Sequence, residues 1–226
     1  MLRSLVLGAG LILVLGVQGA LAFTLTPMRT LLTLPSDMGG ETILLRNPRK
    51  DDLPVVFEVF ERKVNEDGSE ESIPADDAFV VFPPQAVVPA GKTQAVRIQW
   101  VGGALSQSRS FHLYAREMPV NLEGEKKNGI TTLFRVGAAI NLTSKGFASK
   151  AELVHYKPEQ DGVVVSIGNL GNEFIYVNEL GLKFGGKEIE GKELSEAAGK
   201  TLIPPGVIRT FKIPSVQGAP ELIVKN

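Results

Sequence analysis

The sequence predicts an all-β protein built from β-sandwiches. Three observations carry this. Apolar and polar residues alternate with period two over many short runs. Turn-forming residues separate those runs at short spacing. Helix signals are few, and recurring strands with regular turns are the pattern of a sandwich.

The chain of 226 residues opens with an export signal. Arg3 supplies the positive start, Leu5 to Val17 is apolar and uncharged, and Ala20-Leu21-Ala22 fits the small-x-small cleavage rule. The run is shorter than the ~20 residues of a membrane span. Residues 1–22 are therefore expected as a cleaved signal peptide, with the mature protein starting at Phe23. No later segment is long and apolar enough to span a bilayer.

The strands follow in order. Phe23 to Leu34 alternates but is interrupted by Pro27, and residues 36–40 form a turn. Thr42 to Arg46 is a short strand, closed by Asn47-Pro48. Pro54 to Val64 sets Val55, Phe57 and Val59 on one side, with Glu58, Phe60 and Arg62 between them. Asn65-Glu66-Asp67-Gly68 reads as a hairpin turn. Ala78 to Phe82 is another apolar run. After turns at Pro83-Pro84 and Pro89-Ala90-Gly91, Val96, Ile98 and Trp100 alternate with Ala95, Arg97 and Gln99. Phe111, Leu113 and Ala115 then alternate with His112, Tyr114 and Arg116 until Pro119. The pattern predicts two antiparallel strands there.

Val120 to Gly129 is polar and rich in turn formers, which reads as an exposed loop. Ile130 to Leu142 follows as one long strand. One face is Ile130, Thr132, Phe134, Val136, Ala138, Ile140 and Leu142, apolar but for a threonine. Thr143 to Ser149 looks like a connection between domains. Beyond it, Glu152–Tyr156, Gly162–Ile167, Phe174–Leu182 and Leu202–Ile213 read as strands of a smaller β-domain, with a helical turn at Leu194–Lys200. A unit of that size gains from docking on the first.

Composition excludes several functions. The formal charge is −1 with signs mixed and no basic run, so nucleic acid is not an expected partner. With no cysteine there is no disulfide, thiol catalysis or cysteine-ligated metal. His112 and His155 fall on separate predicted domains and make no metal site. No G-x-S-x-G elbow occurs, and Gly102-Gly103 and Gly185-Gly186 read as hairpin turns rather than phosphate loops. No enzyme activity and no cofactor are expected. Arg97 and Glu117 read as structural, Arg97 through an ion pair or stacking near Trp100. Asn141-Leu142-Thr143 matches a glycosylation sequon.

Phe82-Pro83-Pro84, Pro89-Ala90-Gly91 and Val96-Arg97-Ile98, followed by Ser108-Arg109-Ser110-Phe111 through Glu117-Met118-Pro119, resemble the first domain of PapD-like periplasmic pilus chaperones. The form SRSFHLYAREMP is closest to the archaic, spore-coat-U-associated branch of these chaperone–usher proteins. The resemblance implies two immunoglobulin-like β-sandwich domains in an L shape, residues 23–143 and 144–226. It implies a periplasmic protein that completes fimbrial or pilus subunits by donor-strand complementation and passes them to an outer-membrane usher. Ile130, Thr132, Phe134 and Val136 would be the donor face. Arg29 matches the position of an arginine that anchors the subunit's terminal carboxylate. The family's second cation, a lysine, is absent; Arg135 is a candidate substitute, with Lys126, Lys127 and Lys145 as others. Exposed strands of this kind also cap themselves, so a homodimer of the free protein is a further expected state. The competing reading is an exported Ig-like binding or adhesive module without chaperone activity.

Overall fold

The computed structural model describes residues 22–119 and 132–224. Residues 1–21 of the expected signal, the whole expected loop with Lys126 and Lys127, and the donor candidate Ile130 lie outside the described residues.

The first group of strands comprises β1 (Thr24–Thr26), β2 (Arg29–Leu34), β3 (Glu41–Arg46), β4 (Leu53–Val64), β5 (Glu70–Pro74), β6 (Phe79–Phe82), β7 (Gln85–Val88), β8 (Thr93–Trp100), β9 (Arg109–Glu117) and β10 (Arg135–Ser144). One sheet has the order β1-β3-β8-β6; the other runs β2-β10-β9-β4-β5, with β7 also on β4. Pro27, lacking a ladder N–H, marks the point where the chain leaves the first sheet as β1 and joins the second as β2. The alternating apolar residues meet between the sheets: Val55, Phe57, Val59, Val96, Ile98, Trp100, Phe111, Leu113, Ile140 and Leu142 are all buried.

Two expectations are corrected here. β8 and β9 do not pair: β8 lies between β3 and β6, and β9 between β10 and β4. Alternation identifies a buried face but not the sheet that owns it. Gly102-Gly103 therefore lies on a crossover between sheets, where the Trp100 indole N–H donates to the Gly103 carbonyl at 2.7 Å. Phe79 packs edge-on against Trp100 and Phe111 across the core, with ring centroids 5.3 and 5.0 Å away. The long strand also starts later and ends later than expected, spanning Arg135–Ser144 rather than 130–142. Its partner β9 ends at Glu117, and Pro119 has no N–H to extend the ladder.

The second group holds β11 (Ala151–Glu159), β12 (Gly162–Asn169), β13 (Ile175–Tyr176), β14 (Leu180–Phe184), β15 (Lys187–Glu190), helix α1 (Gly191–Ala198), β16 (Leu202–Ile203), β17 (Ile208–Pro214) and β18 (Pro220–Val224). Sheets β11-β12-β17 and β15-β14-β18 enclose Val163, Val165, Ile167, Leu182 and Ile213, with Leu194 of α1 beneath them. This core shares no residue with the first. Gly185-Gly186 is the β14–β15 hairpin turn, as the sequence suggests. The helix starts three residues before the expected turn, without a side-chain cap at Glu190 to signal it.

Candidate functional site

The site grows from the backbone of β10. The Ala139 N–H donates to Met28 at 2.9 Å, on the β2 side. Residues two apart in a strand turn their backbone groups to the same edge. Arg135 and Gly137 therefore face that edge too. Parallel pairing with β2 begins only at Ala139, opposite Arg29, so residues 135–138 have no strand partner on that side among the described residues. On the other side β10 is fully paired to β9, from Arg135 opposite Arg116 onward. The result is an open stretch of edge at the start of β10, just ahead of the point where β2 covers that side.

The side chains beside that edge continue the core. Ala138, Ile140 and Leu142 are buried, and Val136 and Phe134 are half-buried against the upper rim of the same cluster. Thr132 is exposed, ahead of the ladder. Of the four expected donor residues, Val136 thus lies in the open segment, Phe134 just before it and Thr132 three residues ahead of it.

Phe134 is held closely. The Glu117 N–H donates to the Phe134 carbonyl at 2.9 Å, and the Phe134 N–H donates to a Glu117 carboxylate oxygen at 3.2 Å. Arg49 grips that carboxylate through both terminal nitrogens, at 2.5 and 2.9 Å, and its guanidinium lies 5.4 Å from the Phe134 ring centre. The Arg49 bonds hold the Glu117 carboxyl below the usual range, outweighing its burial.

The outward face of the sheet is cationic and aromatic. The Arg135 guanidinium lies 3.7 Å from the Tyr114 ring centre and 4.9 Å from that of Phe60, with Glu58 at 3.9 Å. Tyr114 covers Gly137, where an added Cβ would sit 2.7 Å from the ring. His112, opposite Ala139, lies beneath. A row of polar side chains crosses the sheet: Glu70 pairs with Arg62, Arg62 donates to Ser110 at 3.1 Å, and Ser110 donates to Asn141 at 2.6 Å. Asn141 donates in turn to the Tyr176 hydroxyl of the second group at 2.9 Å. The Tyr176 ring faces the Arg29 guanidinium at 5.0 Å.

Arg29 and Arg135 share this face, but Arg29 is level with Ala139, four residues of β10 (roughly 13 Å) below Arg135. Arg29 lies where the two strand groups meet; Arg135 lies in its own stack near the open edge. Lys145 is exposed in the turn after β10. Arg97 does not stack on Trp100; its guanidinium donates to the Gly39 carbonyl, and Arg109 takes the stacking position, 5.4 Å from Trp100 and 5.0 Å from Phe111. Sequence reasoning missed Arg49 and Asn141. Asn141 is buried within the polar row, so the sequon is not exposed in the folded protein.

Residues 24–142 match the model of the PapD N-terminal domain of pili and flagellar-assembly chaperones. No curated protein sequence matches the chain. Among solved structures, it is similar to a chain of the CsuC–CsuE chaperone–tip adhesion subunit pre-assembly complex from archaic chaperone–usher Csu pili of Acinetobacter baumannii. The identity is 16%, with 90% of this chain and 97% of that chain covered and a TM-score of 0.60. It is similar to the E. coli chaperone DraB (19% identity, 90% and 91% covered, TM-score 0.57). It is also similar to a chain of the Salmonella enterica SafA pilin–SafB chaperone complex (16% identity, 91% and 97% covered, TM-score 0.56). At these identities the likeness carries the fold, which is all-β and two-domain. The family match, over more than half the chain, carries the membership: this protein belongs to the PapD family of pili and flagellar-assembly chaperones.

Proposed function

We propose that this chaperone is exported to the periplasm by cleavage after residue 22 and binds pilus or fimbrial subunits there. It completes each subunit's sandwich with the segment Ile130, Thr132, Phe134 and Val136, then delivers it to an outer-membrane usher. The first domain, residues 23–143, carries the donor; the second, residues 144–226, closes the cleft. Arg29, against Tyr176, takes the subunit's C-terminal carboxylate, a task that suits a guanidinium. Arg135 adds positive charge higher on the same face. Without a subunit, a second copy covers the edge.

The observation that carries this reading is the open edge at residues 135–138, which includes half-buried Val136 and directly follows half-buried Phe134. Unpaired backbone groups give affinity for an added strand, and alternate side chains give selectivity. The similarity to Csu-type and SafB complexes supports the choice of subunits as the partner.

The test is periplasmic co-expression with the small secreted protein encoded next to this gene, followed by pull-down. A stable one-to-one complex is expected, lost in Phe134→Asp while the variant stays folded. Capture undiminished by Phe134→Asp would overturn the donor assignment. No complex with any neighbour would favour an exported Ig-like binding module instead.

A further inference from the structure

We propose that Arg49 and Glu117 form a clasp that sets the register in which β10 is presented. They would thereby decide which parity of the donor segment enters a subunit's groove. This deepens the chaperone reading and rests on it for its functional half.

A strand slipped by one residue turns every side chain to the other face, and slippage is easiest where the pattern is weak. β10 is weak where it matters. Its first half carries Gly137-Ala138-Ala139, whose side chains are small, and the fit of the Tyr114 ring over Gly137 is the main feature there that resists a shift. Just ahead, Leu133 is apolar but of the wrong parity, and it is 45% exposed. A slip would exchange Phe134 for Leu133 or Arg135 opposite Glu117. Buried Ile140 and Leu142 and the Ser110–Asn141 bond hold the far half of β10, so such a slip is confined to the segment ahead of Ala138, where side-chain pattern alone discriminates poorly.

The clasp supplies the missing discrimination. Phe134 and Glu117 are opposite one another in the ladder that pairs Arg135 with Arg116. A regular antiparallel pair of this type exchanges two backbone hydrogen bonds. Here one is kept, Glu117 N–H to Phe134 carbonyl, while the Phe134 N–H goes to the Glu117 side chain. The carboxylate follows the chain as it leaves β9, so the last point of register is held by a charge-assisted bond. Arg49 fixes the carboxylate from both oxygens and lies beside the Phe134 ring. Its own loop is tied down by hydrogen bonds. The Arg49 N–H donates to the Asn47 side chain at 3.0 Å, and the Gly91 N–H donates to the Arg49 carbonyl at 3.1 Å. Fully buried Asn47 donates to Asp51 and Val88 carbonyls at 2.9 and 3.0 Å. Three segments distant in sequence thus converge on one peptide unit. Both side chains are positioning residues; neither lies on the open edge.

The chain has no cysteine, so introduced pairs report register without background. Arg116→Cys with Arg135→Cys marks the observed register, and Arg116→Cys with Val136→Cys marks a one-residue slip. Mild oxidation of the purified full chain should crosslink the first pair and hardly the second. Adding Glu117→Ala should raise the slipped crosslink about tenfold or more, as expected when a charge-assisted hydrogen bond stops discriminating. Arg49→Ala should do so partially, and Arg49→Lys should restore most of the original ratio. An unchanged ratio in Glu117→Ala would overturn the clasp. If Glu117→Ala does not fold, Glu117→Leu, which fills similar space but offers no acceptor, serves in its place with the same criterion. Subunit pull-down is the second readout: wild type failing to bind would sink the chaperone reading while the crosslinks still decide the register.

Discussion

At the scale of single residues, His112 is strongly altered by its surroundings. It lies on the outward face of β9 with Nδ1 3.2 Å from the Tyr114 hydroxyl, among Arg62, Arg135, Lys200 and Glu70. Burial is the main cause that pushes its imidazole down to about 4, and the Arg62 charge adds to it. The unfolded chain, by contrast, takes up a proton near the ordinary value of 6.5. Above pH 6.5 both states are neutral here and nothing is lost. Between 6.5 and 4 the unfolded state binds the proton and the folded state does not, so stability falls as pH falls. His112→Gln should flatten that part of the profile. Denaturant midpoints at pH 7.5 and 5 check this: the drop between them should be smaller in the variant, and equal drops would refute the assignment. The same scale shows a limit of sequence reading. Nearness in sequence points to Arg97 as the partner of Trp100, and only the crossover between sheets brings Arg109 to it instead.

At the scale of elements, the alternation in β4, β8 and β9 was readable residue by residue, because each strand buries one face and a two-residue period records that directly. Sheet ownership was not readable, since it depends on which strands meet through space. β7, β15 and β18 were missed for another reason: at four or five residues they are too short to show a period. The parity that turns Phe134, Val136, Ala138, Ile140 and Leu142 to the core was visible, but the open edge was not, because it arises from where β2 begins. That edge makes its own prediction. Arg135 N–H points to the open side, whereas Val136 N–H points into the β9 ladder. Proline is tolerated where its missing N–H faces an open edge and not where it orphans a ladder carbonyl. Arg135→Pro should therefore be about as stable as Arg135→Ala, each losing roughly the 0.5–1 kcal/mol of an exposed cation–aromatic contact. Val136→Pro should fall below Val136→Ala by about 1–3 kcal/mol, the cost of a buried unsatisfied group. Urea unfolding of the four variants measures both differences. Equal penalties at the two positions would mean the edge is misassigned.

At the scale of the whole molecule, two separate apolar cores are joined by a polar seam, and the seam sets where Arg29 points. Besides Tyr176 and Asn141, Thr143 hydrogen-bonds to Glu173, and the Ser108 N–H donates to the Asn172 carbonyl at 2.8 Å. The tip of the β4–β5 hairpin makes the farthest contact. There the Glu66 carbonyl accepts from the Thr210 N–H at 2.8 Å, and its carboxylate accepts from the Thr210 hydroxyl at 2.6 Å. Gly68 lies directly on the Arg209 guanidinium, and a Cβ there would overlap it. Arg209 is completely buried and donates to the carbonyls of Ala198 and Lys200 at 3.1 and 2.7 Å, so it ties the end of α1 to the hairpin. The backbone of Gly68 is left-handed as well, at φ 86°. Gly68→Val is thus doubly opposed, by conformation and by overlap, at a cost of about 1–3 kcal/mol. Neither core is touched, so the damage should fall on docking. Calorimetry should show one transition in the wild type splitting into two in Gly68→Val. The second domain should melt roughly 5 °C or more earlier, as expected for a loss of this size in a small domain. Because a polar seam leaves relative domain motion as the default once it is loosened, subunit binding should weaken although Phe134 and the open edge are intact. A single transition at the wild-type temperature would show that the hairpin tip does not hold the two domains together.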